Sequence, residues 1–432
     1  MKIKIKNADV LYWTPECHAE KADLFLSDGI ISAVGNPDEN AFNNQNADHV
    51  IDGSGKLVIP GLVNCHTHAY MSIFRNYADD LPFNDWLFKK IMPVEDLMVP
   101  SDAYWFNLLS CLEMIKTGTT CFNDMHMFKG QSVRAVQEAG LRAVISRGLT
   151  GEGPEDPAFR KRLDEAAEEM EMSAGYSRIT FMLGPHAIYT CGERLLRVIP
   201  DMAREKNIGL HIHISESRTE YENSMKEHGC SPVKYLDSLG FFSVPVLAAH
   251  CVHITDEDIR ILADRNVSVA ANPASNMKLG NGFAPVTKML GAGINVCTGT
   301  DSAASNNTLN MFRELTMLSF IHKGLDQNAL SLPADKTLYC GILNGARALG
   351  LDNKIGSIKT GMCADLVLLD MNKPWLLPAN NPVFSLVYSA NGSEADTVIV
   401  DGEILMENRE LKTLDEERIF YETGKIRERL LK

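Results

Sequence analysis

Eight short apolar runs, most of them closing on polar residues and all parted by stretches with helical patterning, constrain the fold of this chain more than any other feature. The runs are "LVNCHTH", "TTCFND", "RAVISRGL", "RITFMLGPH", "GLHIHISES", "VPVLAAHC", "VSVAANP" and "INVCTGTD", all between residues 60 and 350. Among the segments between them are "SDAYWFNLLSCLEMIKTG", "SVRAVQEAG", "EDPAFRKRLDEAAEEMEMSA", "CGERLLRVIPDMAREKN" and "TDEDIRILADRN". Short apolar strands alternating with helices predict a parallel α/β fold, and eight of them predict a (β/α)8 TIM-type barrel. The competing open, doubly wound sheet should carry a glycine-rich phosphate loop. None is found: "DGSGKL" lacks the upstream glycine and has Leu after its Lys, and no GxGxxG follows a strand.

The two ends read differently. "IKIKNADVLYW", "ADLFLSDGIISAVG" and "HVIDGSGKLVIPG" are short strands punctuated by Gly and Asp-Gly, and "GSIKTGMCADLVLLD" and "ADTVIVDGEILMENREL" resume that texture near the C-terminus. We expect one small β-sandwich domain built from both termini. Residues 1–58 form its first part and residues 353–432, with a terminal helix, its second, while residues 59–352 form the catalytic barrel. A chain of 432 residues with 45% hydrophobic content is long enough for such a pair of domains. A formal net charge of −14 without any Lys/Arg run argues against nucleic acid or an anionic membrane as main partner. The N-terminus lacks the apolar block of a signal peptide, and no later run approaches the ~20 apolar residues of a membrane span. Ten scattered cysteines without a CxxC pair fit buried free thiols in a reducing compartment, the cytoplasm. Homo-oligomerisation stays open.

Chemistry concentrates where the runs end. His66 and His68 lie two apart, so in a strand they share a face and both point into a barrel at its C-terminal end, where such folds house catalysis. Taken alone, the pair is equally readable as two core histidines bonded to their neighbours. The other strand ends decide: "GLHIHISES" presents His211 and His213 with Glu216 three residues on, "LAAHCVH" presents His250, and "GINVCTGTD" presents Asp301. An ionisable group that closes an apolar run needs a partner, and three imidazoles with one carboxylate around a cation satisfy that need. His66, His68, His213 and Asp301 are assigned as ligands of one divalent metal ion, Zn2+ first and Fe2+ second. His211 shares the face of His213 but should lie one barrel layer deeper. "RITFMLGPH" offers no Lys to bridge a second metal. Glu216 is placed to move protons, and His250 either positions the water or stands behind the ligands as a core histidine.

Together, "PGLVNCHTH", "HIHISES", "LAAHCVH" and "TGTDSAASNN" resemble the amidohydrolase superfamily. The flanking "RNYADDLPFNDWLFKKIMPVED", "GPHAIYTC" and "GTDSAASNNTLNMF" resemble its 5-methylthioadenosine/S-adenosylhomocysteine deaminases. The resemblance implies hydrolytic removal of the adenine 6-amino group, with inosine analogue and ammonia as products. It implies the same four ligands, Glu216 protonating the ring nitrogen beside the attacked carbon, Asp301 taking a proton from the attacking water, and His250 holding hydroxide or leaving group. It further implies a small-molecule nucleoside substrate, with Glu95 on the ribose hydroxyls, Trp86 as an aromatic wall and His186 as a substrate-binding imidazole. Arg147 would reach the amino-acid carboxylate, with a second arginine near Arg160 left unaligned. The rival readings keep the fold: a triazine-type chlorohydrolase, a deaminase of 5′-deoxyadenosine or oxidised guanine, or a barrel scaffold without catalysis. Glu95 separates the first of these, because a ribose clamp has no use on a triazine.

Overall fold

The computed structural model describes residues 1–14, 16–35 and 46–431. Each of the eight apolar runs marks a barrel strand: Leu62–Thr67, Thr119–His126, which runs two residues past its run, Arg142–Leu149, Ile179–Pro185, Gly209–Ile214, Val246–His250, Ser268–Ala271 and Val296–Thr298. They pair in chain order as one parallel eight-stranded sheet. The fifth strand shows why the sequence folds this way. Leu210, Ile212 and Ile214 are fully buried on its outer face, in one cluster with Leu195, Leu196 and Ile199 of the helix Glu193–Glu205, and His211 and His213 occupy its inner face by the period of two.

The barrel closes between its eighth and first strands. The Asp301 N–H donates to the His66 carbonyl (2.9 Å), and the Asn64 amide bonds Thr300 twice, at 2.8 Å to the hydroxyl and 3.0 Å to the main-chain N–H. A Cβ on Gly299 would sit 2.8 Å from the His66 backbone nitrogen and 2.6 Å from Asn272 Oδ1, so this approach requires glycine. The seam therefore brings His66 and Asp301 together.

The termini share one nine-stranded mixed sheet. Lys2–Tyr12 runs antiparallel to His18–Ser27 and parallel to Lys56–Pro60, and the latter pairs antiparallel with Leu366–Asp370 from the other end of the chain. Ile3, Ile5, Leu24, Leu366, Leu368 and Ile399 lie in one apolar cluster, so both halves of the sheet bury a common core. The final helix, Glu416–Leu430, lies against Pro100–Lys116, with ion pairs from Lys116 to Glu416 and from Arg429 to Asp102. Among the described residues no helix is long and apolar enough to cross a membrane.

A buried ion pair ties barrel to sheet. Arg142, at the start of the third barrel strand, makes a bidentate contact with Asp365 (2.7 and 2.9 Å), and their side chains are 3% and 1% exposed. Without Asp365 the buried guanidinium keeps only its longer contact with Asp401 (3.4 Å), so Asp365→Ala should cost about 3 kcal/mol, the low end for breaking a buried pair. Denaturant unfolding of the two proteins measures it.

Candidate active site

Where the strands end, the backbone turns sharply. His250, Cys251 and Asp301 have φ of +73°, +48° and +57°, a left-handed conformation that costs energy for such residues and clusters at working sites. After the fifth strand the N–H groups of Ser215 and Glu216 both donate to the Glu220 carboxylate (2.9 and 2.8 Å), from the first turn of the helix Arg218–His228. That clasp fixes the turn that carries Glu216.

The imidazoles converge with their protons accounted for. His68 Nδ1 lies 2.7 Å from the Met125 carbonyl and His213 Nδ1 lies 2.9 Å from the His186 carbonyl. A carbonyl only accepts, so both rings carry their proton on Nδ1 and present an Nε2 lone pair. His66 is set through a longer chain whose direction is forced from its far end. The Asn123 amide donates to the Cys65 carbonyl (3.1 Å), leaving its oxygen to accept from the Ser146 hydroxyl (3.3 Å). Ser146 then accepts from His211 Nδ1 (3.3 Å), and His211 Nε2 accepts from His66 Nδ1 (2.8 Å). His211 lies one layer deeper, where its Nε2 fixes the orientation of the His66 ring.

Three Nε2 atoms thus face one point. Those of His68 and His213 are only 3.2 Å apart, and His66 Nε2 is buried without a hydrogen-bond partner. Asp301 Oδ1 stands 3.5 Å from both His66 Nε2 and His68 Nε2, while its Oδ2 accepts from the hydroxyls of Ser275 (2.6 Å) and Ser305 (2.8 Å). Ligand atoms of His66, His68 and His213 lie within 4.8 Å of one another, as do those of His66, His250 and Asp301. Lone pairs this close repel unless a cation lies between them, so the donor set fits a zinc-like ion. Burial pushes the His66 pKa down to about 4 and those of His211 and His213 well below the ordinary histidine range, which keeps the rings neutral as ligation requires. Burial opposes ionisation of Asp301, but the close approach of the His66 ring outweighs it and holds the carboxyl well below the usual carboxylate range.

A cavity of about 440 Å³ opens onto this centre. His68, His213, Asp301, Glu216 and His250 line its floor, and Trp86, Glu95 and His186 line its walls. Burial first, and the Asp301 charge second, raise the Glu216 pKa to about 8, so its carboxyl holds a proton at neutral pH. His250 Nδ1 bonds Asn276 Oδ1 (2.8 Å), and its Nε2, 3.9 Å from Glu216 Oε2, is buried without a hydrogen-bond partner. His186 is held by Thr190 (3.0 Å), and burial lowers its pKa to about 3. Trp86 sits in a π-helical segment, Asp85–Ile91, its Nε1 buried and unbonded. Tyr70 donates to Glu95. A larger hollow of about 940 Å³ at the opposite end of the barrel touches none of these groups.

Arg147 is the exception. It does not line the cavity. Ser146 faces inward to Asn123 and His211, so the next residue in the strand faces outward, and the Arg147 guanidinium is committed to Glu165 (2.7 Å) and the His126 carbonyl (3.1 Å). The arginine on the cavity wall is Arg162, from the helix Pro157–Met172. It bonds the Gly148 carbonyl at 3.1 Å, and no carboxylate lies within ion-pair distance among the described residues. In the run "RKR" nothing local distinguishes Arg162 from Arg160 or Lys161, which are both exposed. Tyr70, two residues past the His66 and His68 pair, was marked only by its place at the barrel mouth.

A ring of imidazoles and one carboxylate at the C-terminal mouth of a (β/α)8 barrel defines a class of metal-assisted hydrolases. Residues 57–405 match the amidohydrolase family, and the chain belongs to that family. It is similar throughout to the 5-methylthioadenosine/S-adenosylhomocysteine deaminase of Caldanaerobacter subterraneus subsp. tengcongensis, 45% identical over 435 residues, covering 100% of this chain and 99% of the relative. The enzyme of the same name from Thermoanaerobacter pseudethanolicus is 45% identical, covering 98% of each. A crystal structure of an adenosine deaminase from Xanthomonas campestris with bound zinc matches with a TM-score of 0.94 at 30% identity, over 99% of this chain and 98% of that one. An atrazine chlorohydrolase from Arthrobacter aurescens, complexed with zinc, shares the fold at 24% identity and a TM-score of 0.88, over 98% and 100%.

The buried chain beneath His66 is open to test. His211→Ala removes no ligand but frees the His66 ring, and should weaken metal binding about 10- to 100-fold in equilibrium dialysis.

Proposed function

We propose that the protein is a metal-dependent aminohydrolase that replaces the adenine 6-amino group of 5-methylthioadenosine- and S-adenosylhomocysteine-type nucleosides by oxygen, releasing ammonia. The carrying observation is the Glu216 carboxyl, buried beside the cluster of imidazoles and Asp301 in a cavity whose walls also present Glu95 and Arg162, an arginine with no ion-pair partner among the described residues. A ribose diol suits Glu95, an aromatic base suits Trp86, and a carboxylate suits Arg162. A triazine offers neither a diol for Glu95 nor a carboxylate for Arg162. The imidazole-rich donor set suits zinc, as in the zinc-bound neighbours. Ten free cysteines favour the cytoplasm.

His66, His68, His213 and Asp301 would hold the cation, which supplies Lewis-acid activation and lowers the pKa of water from about 16 to about 7. Every other step falls to side chains. Glu216 donates its proton to the ring nitrogen next to C6, making that carbon electrophilic. Asp301 takes one proton from the attacking water as its oxygen bonds to C6, and His250 Nε2 accepts a hydrogen bond from that oxygen. Asp301 passes its proton to the amino group, and the C–N bond breaks to release ammonia. The new hydroxyl loses its proton to Glu216 as the carbonyl forms, which restores the acid.

Incubation with a panel of adenosine thioethers, guanine derivatives and triazines, with ammonia and chloride both measured, tests this reading. Ammonia should come from the thioethers alone, and chloride from the triazines would overturn it. Arg162→Ala should raise KM for S-adenosylhomocysteine about 10- to 100-fold, the worth of a charge-assisted hydrogen bond, with 5-methylthioadenosine spared. Because the required form of Glu216 is the acid, its raised pKa keeps activity through neutrality and loses it as pH climbs through about 8. Glu216→Gln should cut kcat by about 10²–10⁴ and abolish that alkaline limb.

A further inference from the structure

The segment after the seventh barrel strand, the short helix Pro273–Lys278 and the turn that ends it, supplies none of the groups named so far as acid, base or ligand, yet three of its side chains end on three different ones. In the stretch "SNMKLGN", residues 275–281, the Ser275 hydroxyl donates to Asp301 Oδ2 (2.6 Å), Asn276 Oδ1 receives His250 Nδ1 (2.8 Å), and Asn281 Nδ2 donates to Glu216 Oε1 (3.2 Å). All three side chains are buried: the residues are 0%, 2% and 7% exposed.

We propose that Ser275–Asn281 is the positioning element of the reaction proposed above, setting through Ser275, Asn276 and Asn281 the orientation of Asp301, His250 and Glu216 together. It touches no reacting atom. Its effect follows from the direction of each bond. An amide oxygen only accepts, so Asn276 keeps the His250 proton on Nδ1 and turns the Nε2 lone pair to the cavity. An amide N–H only donates, so Asn281 makes Glu216 Oε1 an acceptor and leaves the acid proton to Oε2, the oxygen nearer His250 Nε2. Ser275 occupies Asp301 Oδ2 and leaves Oδ1 to the ligand cluster. The two asparagines are locked to each other, because the Asn281 N–H donates to the Asn276 carbonyl (2.8 Å). Lys278 anchors the turn to neighbouring loops through the Ala304 carbonyl (3.2 Å), Asn307 and Asp79. A shift of the segment therefore misaligns both proton-carrying groups at once.

The test compares variants of the full-length, metal-loaded protein, using as substrate whichever panel compound the wild type deaminates. Asn276→Ala and Asn281→Ala should each lower kcat about 10- to 100-fold with KM and metal content little changed. The aspartate replacements should part company. Asn276→Asp keeps the acceptor and should recover much of the lost kcat, whereas Asn281→Asp sets a carboxylate against Glu216 and should fall below Asn281→Ala. In a Glu216→Gln background Asn281→Ala should add little further loss, since the two act through one bond. Equal losses from the two aspartates would overturn the proposal, because a packing role does not distinguish donor from acceptor. So would full additivity with Glu216→Gln; if that background has no measurable turnover, the aspartate comparison decides alone. Failure of the wild type on every adenosine thioether would instead count against the substrate reading.

Discussion

Electron-rich atoms crowd one point at the mouth of this barrel, and the protons that could separate them are tied down elsewhere. His68 and His213 approach through bare Nε2 lone pairs, 3.2 Å apart, because each ring spends its N–H on a main-chain carbonyl. Asp301 faces the same point with Oδ1. Such a cluster is unfavourable by itself and favourable around a cation, so the surrounding structure must hold it in place whether or not binding energy is available. The barrel does this with parts that take no share in chemistry: apolar outer strand faces against helices, the glycine-permitted seam, and the Arg142–Asp365 pair beneath.

The interior is organised in tiers by hydrogen-bond direction. At the top, the Nε2 atoms of His66, His68 and His213 point at one place. One tier down, His211, Ser146 and Asn123 pass a donor sense from ring to hydroxyl to amide, ending on the Cys65 carbonyl. A buried polar column is tolerated because every member is satisfied, and reversing any bond would leave an unmatched donor. Strands fix where each group stands, and loops fix which atom it shows. Left-handed backbone at His250 and Asp301 marks the change from one task to the other.

Much of this was legible from residues alone. Eight apolar runs announced eight strands because a fully buried parallel strand needs both faces covered, and polar side chains closing such runs had to find partners. The spacing of His66 and His68, and of His211 and His213, translated directly into shared faces, since a strand repeats every two residues. Arg147 and Arg162 escaped for complementary reasons. The inward face of the third strand was already taken by Ser146, which turned Arg147 outward to Glu165, and the helix bearing Arg162 is charged along so much of its surface that no local pattern marks the residue facing the cavity. The stretch "SNMKLGN" carried no recognisable signal, because its polar side chains bond partners 26, 26 and 65 residues away.

The amino-acid order by itself determined the alternation of strands and helices, the kind of donor groups that close the strands and the placing of a carboxyl, Glu216, three residues past His213. These follow from short-range periodicity and from the cost of burying polar groups, both of which act along neighbouring residues. Tertiary structure alone decided which nitrogen of each imidazole faces the centre, which arginine reaches the cavity and how the two chain ends share one sheet. Those outcomes depend on hydrogen bonds and contacts between segments such as His66 and His211, 145 residues apart, and no local pattern encodes a partner that only folding brings near.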